Sequence, residues 1–310
     1  MTSRLTRRDF LKRTVATGAA LRFAQAASAS DGGMFVSLNA TLTGKMDWPD
    51  FARLAARTGY GGVDVSLDGV RRDGPERTRA LLAELKIRPG VFPFPVRFSG
   101  DEAGYQDGLK QLAEVSELAA AIGCPRMMAV MPPASATPKA EFRALLKDRL
   151  SAISEILLRS KVRLGLEFLG PLHFRTRQPH EFIWRMDELL EFAKECGPNI
   201  GLTLDAWHWH HAGATAADIL AAGASRIVTV HVSDAKAQPP EEVRDNQRVM
   251  PGEGVIDLVT FFKSLEKIGY RDAVSPEPIG RVPSSMSAED GARLGLDTTV
   301  SVMKKAGLRL

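Results

Sequence analysis

From residue 34 to the C-terminus, short β-rich runs alternate eight times with longer amphipathic stretches. Strands are expected at 34–39, 62–67, 88–96, 126–131, 163–169, 200–205, 227–233 and 273–277. Most of these runs are nearly continuous in apolar residues, as strands covered on both faces must be. Helices are expected between and after them, at 48–58, 75–85, 105–122, 139–160, 181–196, 215–222, 256–268 and 288–305. In the fourth, Phe142, Leu145, Leu146, Leu150, Ile153, Ile156 and Leu157 recur at helical spacing and make one apolar stripe. No Pro/Gly/Ser-rich linker or low-complexity tract interrupts the pattern, so one domain is expected. Eight βα units imply an α/β fold, a closed (β/α)8 TIM barrel. The alternative is an open doubly wound sheet, but the Gly-rich fingerprint that usually supports it does not follow the first strand.

The first residues differ in kind. Arg4, Arg7, Arg8, Lys12 and Arg13 precede a short run of small residues, Thr14 to Leu21. That run is too short to span a bilayer, which takes roughly 20 apolar residues. Thr6-Arg7-Arg8-Asp9-Phe10-Leu11-Lys12 resembles a twin-arginine (Tat) signal, and Ala27-Ser28-Ala29 offers a cleavage site. Residues 1–29 therefore read as a signal peptide and 30–310 as the barrel. On that reading the Tat translocase is a partner and the mature protein is periplasmic or extracellular. The leader also carries the basic charge. It holds six Lys/Arg and one Asp of the chain's 41 and 37, leaving 35 basic against 36 acidic residues in a remainder near −1 rather than +4. Nothing there reads as a footprint for nucleic acid. The two cysteines, Cys124 and Cys196, lack ligand spacing and fall near the starts of strands 4 and 6, which are not neighbours, so no disulfide is expected. Oligomeric state stays open, a homo-oligomer included.

A (β/α)8 barrel keeps its chemistry at the carboxyl ends of its strands. Four consecutive strands end in an ionisable group: Leu164-Gly165-Leu166-Glu167, Leu202-Thr203-Leu204-Asp205, Val228-Thr229-Val230-His231 and Val274-Ser275-Pro276-Glu277. Three converging carboxylates are costly to bury unless paired or metal-bound, and a divalent cation resolves their repulsion. Three carboxylates and one imidazole form a mostly oxygen set that favours Mn²⁺, with Mg²⁺, Co²⁺ and catalytic Zn²⁺ also fitting. All six histidines lie between His173 and His231. His208 shares the loop after strand 6 with Asp205 and is a candidate to orient substrate. His210 and His211 read as solvated or helix-capping, and His173 and His180 carry no assignment. In the long loop after strand 7, Arg248 is a candidate substrate contact as readily as a surface arginine, and Glu253 reads as a turn residue. Phe92, Phe94, Phe98, Met131, Trp207 and Trp209 are candidates for an apolar wall beside a sugar, or for plain packing.

Glu at strand 5, Asp-x-x-His at strand 6, His at strand 7, then Arg-x-x-Pro-Gly-x-Gly and Glu at strand 8 together resemble the sugar phosphate isomerase/epimerase superfamily, the xylose-isomerase-like barrels. The resemblance covers roughly residues 34–310 and is strongest at Gly165-Leu166-Glu167, Leu204-Asp205-Ala206-Trp207-His208, His231-Val232-Ser233-Asp234, Pro251-Gly252-Glu253-Gly254 and Ser275-Pro276-Glu277. Similarity to ketose 3-epimerases and inosose dehydratases implies that Glu167, Asp205, His231 and Glu277 bind one divalent metal, and that His208 and Arg248 contact substrate. It further implies that Glu167 and Glu277 exchange a proton next to a carbonyl through an enediolate, on a sugar or polyol. The expected activity is a metal-dependent sugar isomerase or epimerase. A lyase or dehydratase starting from the same deprotonation, and a non-catalytic carbohydrate-binding barrel, are the alternatives. Export favours a free sugar, keto-sugar, glycoside or inositol derivative over a phosphorylated one. The related AP endonucleases need three metals and further ligands, which are missing here: no His precedes His173.

Overall fold

In the computed structural model, which describes residues 33–309, the apolar runs become eight parallel strands. These are β1 (Phe35–Leu38), β2 (Gly62–Val63), β3 (Arg88–Pro89), β4 (Arg126–Val130), β5 (Arg163–Glu167), β6 (Ile200–Asp205), β7 (Ile227–Val232) and β8 (Ala273–Pro276). They hydrogen-bond in the order β3-β2-β1-β8-β7-β6-β5-β4. A parallel bridge between Phe92 and Met127, in which Phe92 N donates to Arg126 O at 2.8 Å, joins the two ends of that row. The sheet thus closes on itself, which sets aside the open doubly wound alternative. The leader expected at 1–29 lies outside the described residues.

Eight helices surround the strands: α1 (Trp48–Thr58), α2 (Pro75–Leu85), α3 (Glu102–Ala121), α4 (Lys139–Arg159), α5 (Met186–Cys196), α6 (Ala216–Ala222), α7 (Leu258–Lys267) and α8 (Ala288–Lys305). Their starts are marked chemically: Asp101 caps α3, Asp257 caps α7, Ser287 caps α8, and a proline opens α1 and α2. The stripe on α4 buries Phe142, Leu146, Leu150, Ile153 and Leu157. Leu145, at 40% exposure, falls outside it.

Three expected elements are shorter than their hydrophobic runs. The run at 62–67 stops at Val63 because the Ser66 side chain accepts from Gly69 N and starts a helix at Leu67–Asp73. The run at 88–96 keeps only two strand residues and the bridge at Phe92, since Pro89, Pro93 and Pro95 bring no N–H to the ladder. The helix expected from 181 begins at Met186, because His180 and Glu181 pair with Ser135 and Ala134 in a short antiparallel ribbon over the strand ends.

Partners in a parallel ladder point to the same face. The pairs Asp205↔His231 and Ser275↔His231 therefore place these three side chains on one face, and Val130↔Glu167↔Thr203 do the same. Small and polar side chains (Ser37, Thr203, Thr229, Ser275) are buried where such barrels usually carry branched aliphatics, which leaves a cup above them. Cys124 and Cys196 are free and buried, and burial pushes their thiols up to about 11 and about 12. Among the described residues no helix is long and apolar enough to cross a membrane.

Candidate metal centre and its surroundings

Each of β5, β6 and β7 delivers one ligand-type side chain at or near its carboxyl end, and Glu277 follows β8 directly. One ligand atom from each of Glu167, Asp205, His231 and Glu277 lies within 4.8 Å of the others. Asp205 is fully buried, Glu167 and His231 are nearly so, and Glu277 opens slightly to the cup. His231 Nδ1 stands 3.2 Å from Glu167 Oε1 and 3.3 Å from Glu277 Oε2. Neither Nδ1 nor Oε1 has an aligned hydrogen-bond partner, so two buried polar atoms face each other unsatisfied. Ligands about 2.0–2.2 Å from a cation stand roughly 3–4.3 Å apart, so small side-chain adjustments would close this set around one ion. The orphaned atoms and the hard, oxygen-rich donor set fit a divalent metal.

The electrostatics follow from crowding three carboxylates in a buried place. Burial pushes Glu167 up to about 7. Burial would lower His231, but the charge of Glu277 and contact with Glu167 and Glu277 outweigh it, so the imidazole is raised well above its ordinary value. Burial would raise Asp205, yet Arg248 overrides it and holds that carboxyl far below the usual range. Glu277 is likewise lowered, by His231 and then Arg248 against its burial. In the metal-free cluster, protonated His231 and Arg248 therefore serve as the counter-charges.

Asp205 acts locally as well. Its Oδ1 accepts from Trp207 N at 2.6 Å and His208 N at 3.3 Å, which caps the short helix Ala206–His211 and fixes the carboxylate. That helix turns His208 toward Arg248, whose Nη2 is 3.1 Å from His208 Nε2. A guanidinium only donates, so Nε2 accepts and the ring proton sits on Nδ1, which is buried without a partner. Burial pushes His208 down to about 3, keeping it neutral. Arg248 is no surface arginine: it is 3% exposed. It donates to Asp205 Oδ2 at 2.7 Å, Glu277 Oε2 at 3.3 Å and Asp245 Oδ1 at 2.8 Å, and lies 4.6 Å over the Trp207 ring. Asp245, absent from the sequence reading, is the acid that orients Arg248 from its outer side.

The loop carrying Arg248 is tied down by Asp234. Its carboxylate accepts from Gly252 N and Gly254 N, both at 3.0 Å, and from Ile256 N at 2.9 Å. Gly252 has φ +87°, and a Cβ on Gly254 would lie 2.5 Å from Asp234 Oδ1, so both positions need glycine. Glu253 accepts from Met250 N and pairs with Arg281, a turn role.

Other candidates separate. Phe92, Phe98, Met131, Trp207 and Trp209 are buried in the core, leaving Phe94 alone half-buried. A cavity of about 300 Å³ lined by Phe94, Val96, Phe98, Met128 and Val130 lies on the β3–β4 side, where Val130, the register partner of Glu167, is 45% exposed. His210 and His211 are half-buried rather than solvated; His211 packs edge-on against Trp207, with centroids 4.4 Å apart. His173 stacks on Phe174 at 4.1 Å, and His180 is exposed in the ribbon.

The sequence reading also passed over Asp64, one residue beyond β2. Its Oδ1 accepts from Ser37 Oγ at 2.8 Å, Ser275 Oγ at 3.2 Å and Val91 N at 3.3 Å, and its Oδ2 from Asn39 Nδ2 at 3.3 Å. Burial raises its pKa, opposed chiefly by His231. The signal was the one used at strands 5 to 8, a polar residue ending an apolar run. It was hidden because Val65 and Leu67 make the run seem to continue.

Comparison with known proteins agrees with this architecture. Residues 52–301 match the family model of the xylose isomerase-like TIM barrel. An inosose isomerase of Halalkalibacterium halodurans is 31% identical over 207 residues, 66% of this chain and 71% of that protein. The solved xylose isomerase domain protein of Alicyclobacillus acidocaldarius superposes with a TM-score of 0.81 at 27% identity, covering 89% of this chain and 100% of the other. The IOLI protein, solved with a zinc atom, shares the fold at a TM-score of 0.75 and 24% identity, over 88% of this chain and 99% of its own. With its closed eight-stranded barrel and a family match over most of its length, the chain belongs to the xylose isomerase-like TIM barrel family.

Proposed function

We propose that this protein is a divalent-metal-dependent isomerase or epimerase of a neutral keto-sugar or inosose, working by proton transfer next to a carbonyl. The observation that carries the proposal is the buried meeting of Glu167, Asp205, His231 and Glu277 with Oε1 and Nδ1 left unsatisfied. The similarity to an inosose isomerase supports the substrate class. Glu167, Asp205, His231 and Glu277 would hold the cation, Mn²⁺ by preference of the donor set. When bound, it supplies a Lewis acid for the substrate carbonyl.

The chain's own groups do the rest. Glu277 is held ionised by His231 and Arg248 and is partly open to the cup, so it suits taking up a proton. Glu167, buried on the other side of the cluster, suits returning one. Neutral His208 presents an Nδ1–H donor, and Arg248 fixes the orientation of Asp205, Glu277 and His208 together.

The test is proton NMR of the metal-loaded protein in D₂O with free ketoses, 3-keto-sugars and inososes, beside Glu277→Gln. Deuterium entering next to a carbonyl, and failing to enter with the variant, is the expected result. An epimer or isomer as product fits this reading, and an eliminated product turns it into a lyase. No exchange with any compound sinks it in favour of a binding barrel. We further propose Tat export through residues 1–29; Arg7→Lys with Arg8→Lys should retain the precursor inside the cell, and unaffected secretion removes the claim.

A further inference from the structure

We propose that Asp64 and Asn39 form a hydroxyl-binding subsite beside the metal ligands, a specificity determinant that receives a ring hydroxyl of a neutral polyol other than the group held at those ligands. The inference rests on the sugar reading of the cup above. The residues are placed for it by ladder geometry. Ser37 pairs with Gly62, so Asp64 and Asn39, each two residues on, point to the same face as Ser37 and stand level with each other. Ser275, which donates to Asp64, is the register partner of His231, so Asp64 stands beside the ligand cluster. A molecule engaged at that cluster can therefore present another hydroxyl to Asp64.

The carboxylate is built in rather than stray. A Cβ at Gly90 would lie 2.3 Å from Asp64 Oδ1 and 2.1 Å from Ser37 Oγ, so only glycine on β3's end makes room for it. Its two oxygens are unequally used. Oδ1 accepts from three groups, whereas Oδ2 accepts only the long bond from Asn39 Nδ2. Oδ2 has two lone pairs and only one long bond, so it keeps a free acceptor position. Asp64 and Asn39 are both half-buried, unlike the fully buried Ser37 and Ser275 beside them. Asn39 Oδ1 is committed to Thr41 N at 2.9 Å, which fixes the amide orientation and aims Nδ2 at Asp64. The second Nδ2 hydrogen remains available, so the pair offers one acceptor and one donor, the complement of a hydroxyl.

The experiment is isothermal titration of Mn²⁺-loaded protein with myo-inositol, a polyol without a carbonyl, so that binding is read without turnover. Native protein, Asp64→Asn and Asn39→Ser are compared, with metal content and thermal melting measured on each. The expected result is saturable binding by the native protein, weakened about tenfold or more by Asp64→Asn, as loss of a hydrogen bond to a charged group implies, and less by Asn39→Ser. Metal content and melting should stay native. Undiminished binding by both variants, loss of binding only in step with loss of metal, or no saturable binding by native protein each overturn the proposal. Failure of the deuterium exchange test with intact Asp64-dependent binding would instead reject the isomerase reading and keep this subsite.

Discussion

The two ends of the barrel interior carry opposite charge and treat it differently. At the amino ends of the strands Arg88, Arg126 and Arg163 lie near one carboxylate, Asp272. Arg126 pairs with Asp272 at 2.7 Å and donates to Gly90 O and Pro89 O. Arg163 donates to Ser225 O and Ile227 O, Arg226 to Ile200 O, and Arg88 stacks 3.6 Å over Phe35. At the carboxyl ends, Glu167, Asp205 and Glu277 face Arg248 and His231, and there Glu167 Oε1, His231 Nδ1 and His208 Nδ1 lack an aligned hydrogen-bond partner. Both ends bury charge. Only one leaves it incompletely satisfied, and that residual demand marks the end built to receive something. The arginine end closes the barrel floor.

The contrast can be broken from either side. The largest effect is expected at Glu167→Gln and Glu277→Gln, each lowering deuterium exchange by about a thousandfold or more while circular dichroism stays native. Normal exchange in both variants would remove the acid/base assignment. Next, Asp205→Ala should weaken metal binding more than about 100-fold, beyond what loss of a supporting contact costs, as read by metal analysis after dialysis. Full metal occupancy would place the ion elsewhere. At the other end, Arg126→Met should cost about 2–3 kcal/mol in denaturant unfolding, discounted for the partial exposure of Asp272, with kcat unchanged. A fall in kcat without loss of stability would mean that the floor takes part in the reaction.

The smallest effect concerns pH. His231 is raised well above its usual pKa and Glu167 to about 7, so both hold protons that a cation must displace. Metal binding should therefore release protons, and affinity should fall as pH drops through about 7. Titration in buffers of different ionisation enthalpy reads this directly; pH-independent affinity would show that the cluster is already deprotonated without metal.

What could be read before the structure depended on how local the signal was. Continuous apolar runs locate all eight strands, because a strand buried on both faces must be apolar wherever it sits. Glu167, Asp205, His231 and Glu277 stand out because an ionisable group closing such a run is costly without a partner. The same rule missed Asp64, since the apolar residues after it belong to a capped helix and not to the strand. It also could not rank Arg248. Whether an arginine in the long connection between β7 and α7 is solvated or buried depends on where the loop folds back, and that is set by Asp234 gathering three backbone N–H groups.

The sequence by itself determined the alternation, the strand ends bearing charge and the turn glycines, because periodicity and local steric demands act over a few residues. Closure of the barrel, the pairing of Arg248 with Asp205 and Asp245, and the placement of Asp64 under Gly90 were decided only by tertiary structure. Those features join residues up to 211 positions apart, as in the Ser275–Asp64 contact. Nothing in the spacing of residues that distant fixes the distance between their side chains until the sheet has closed.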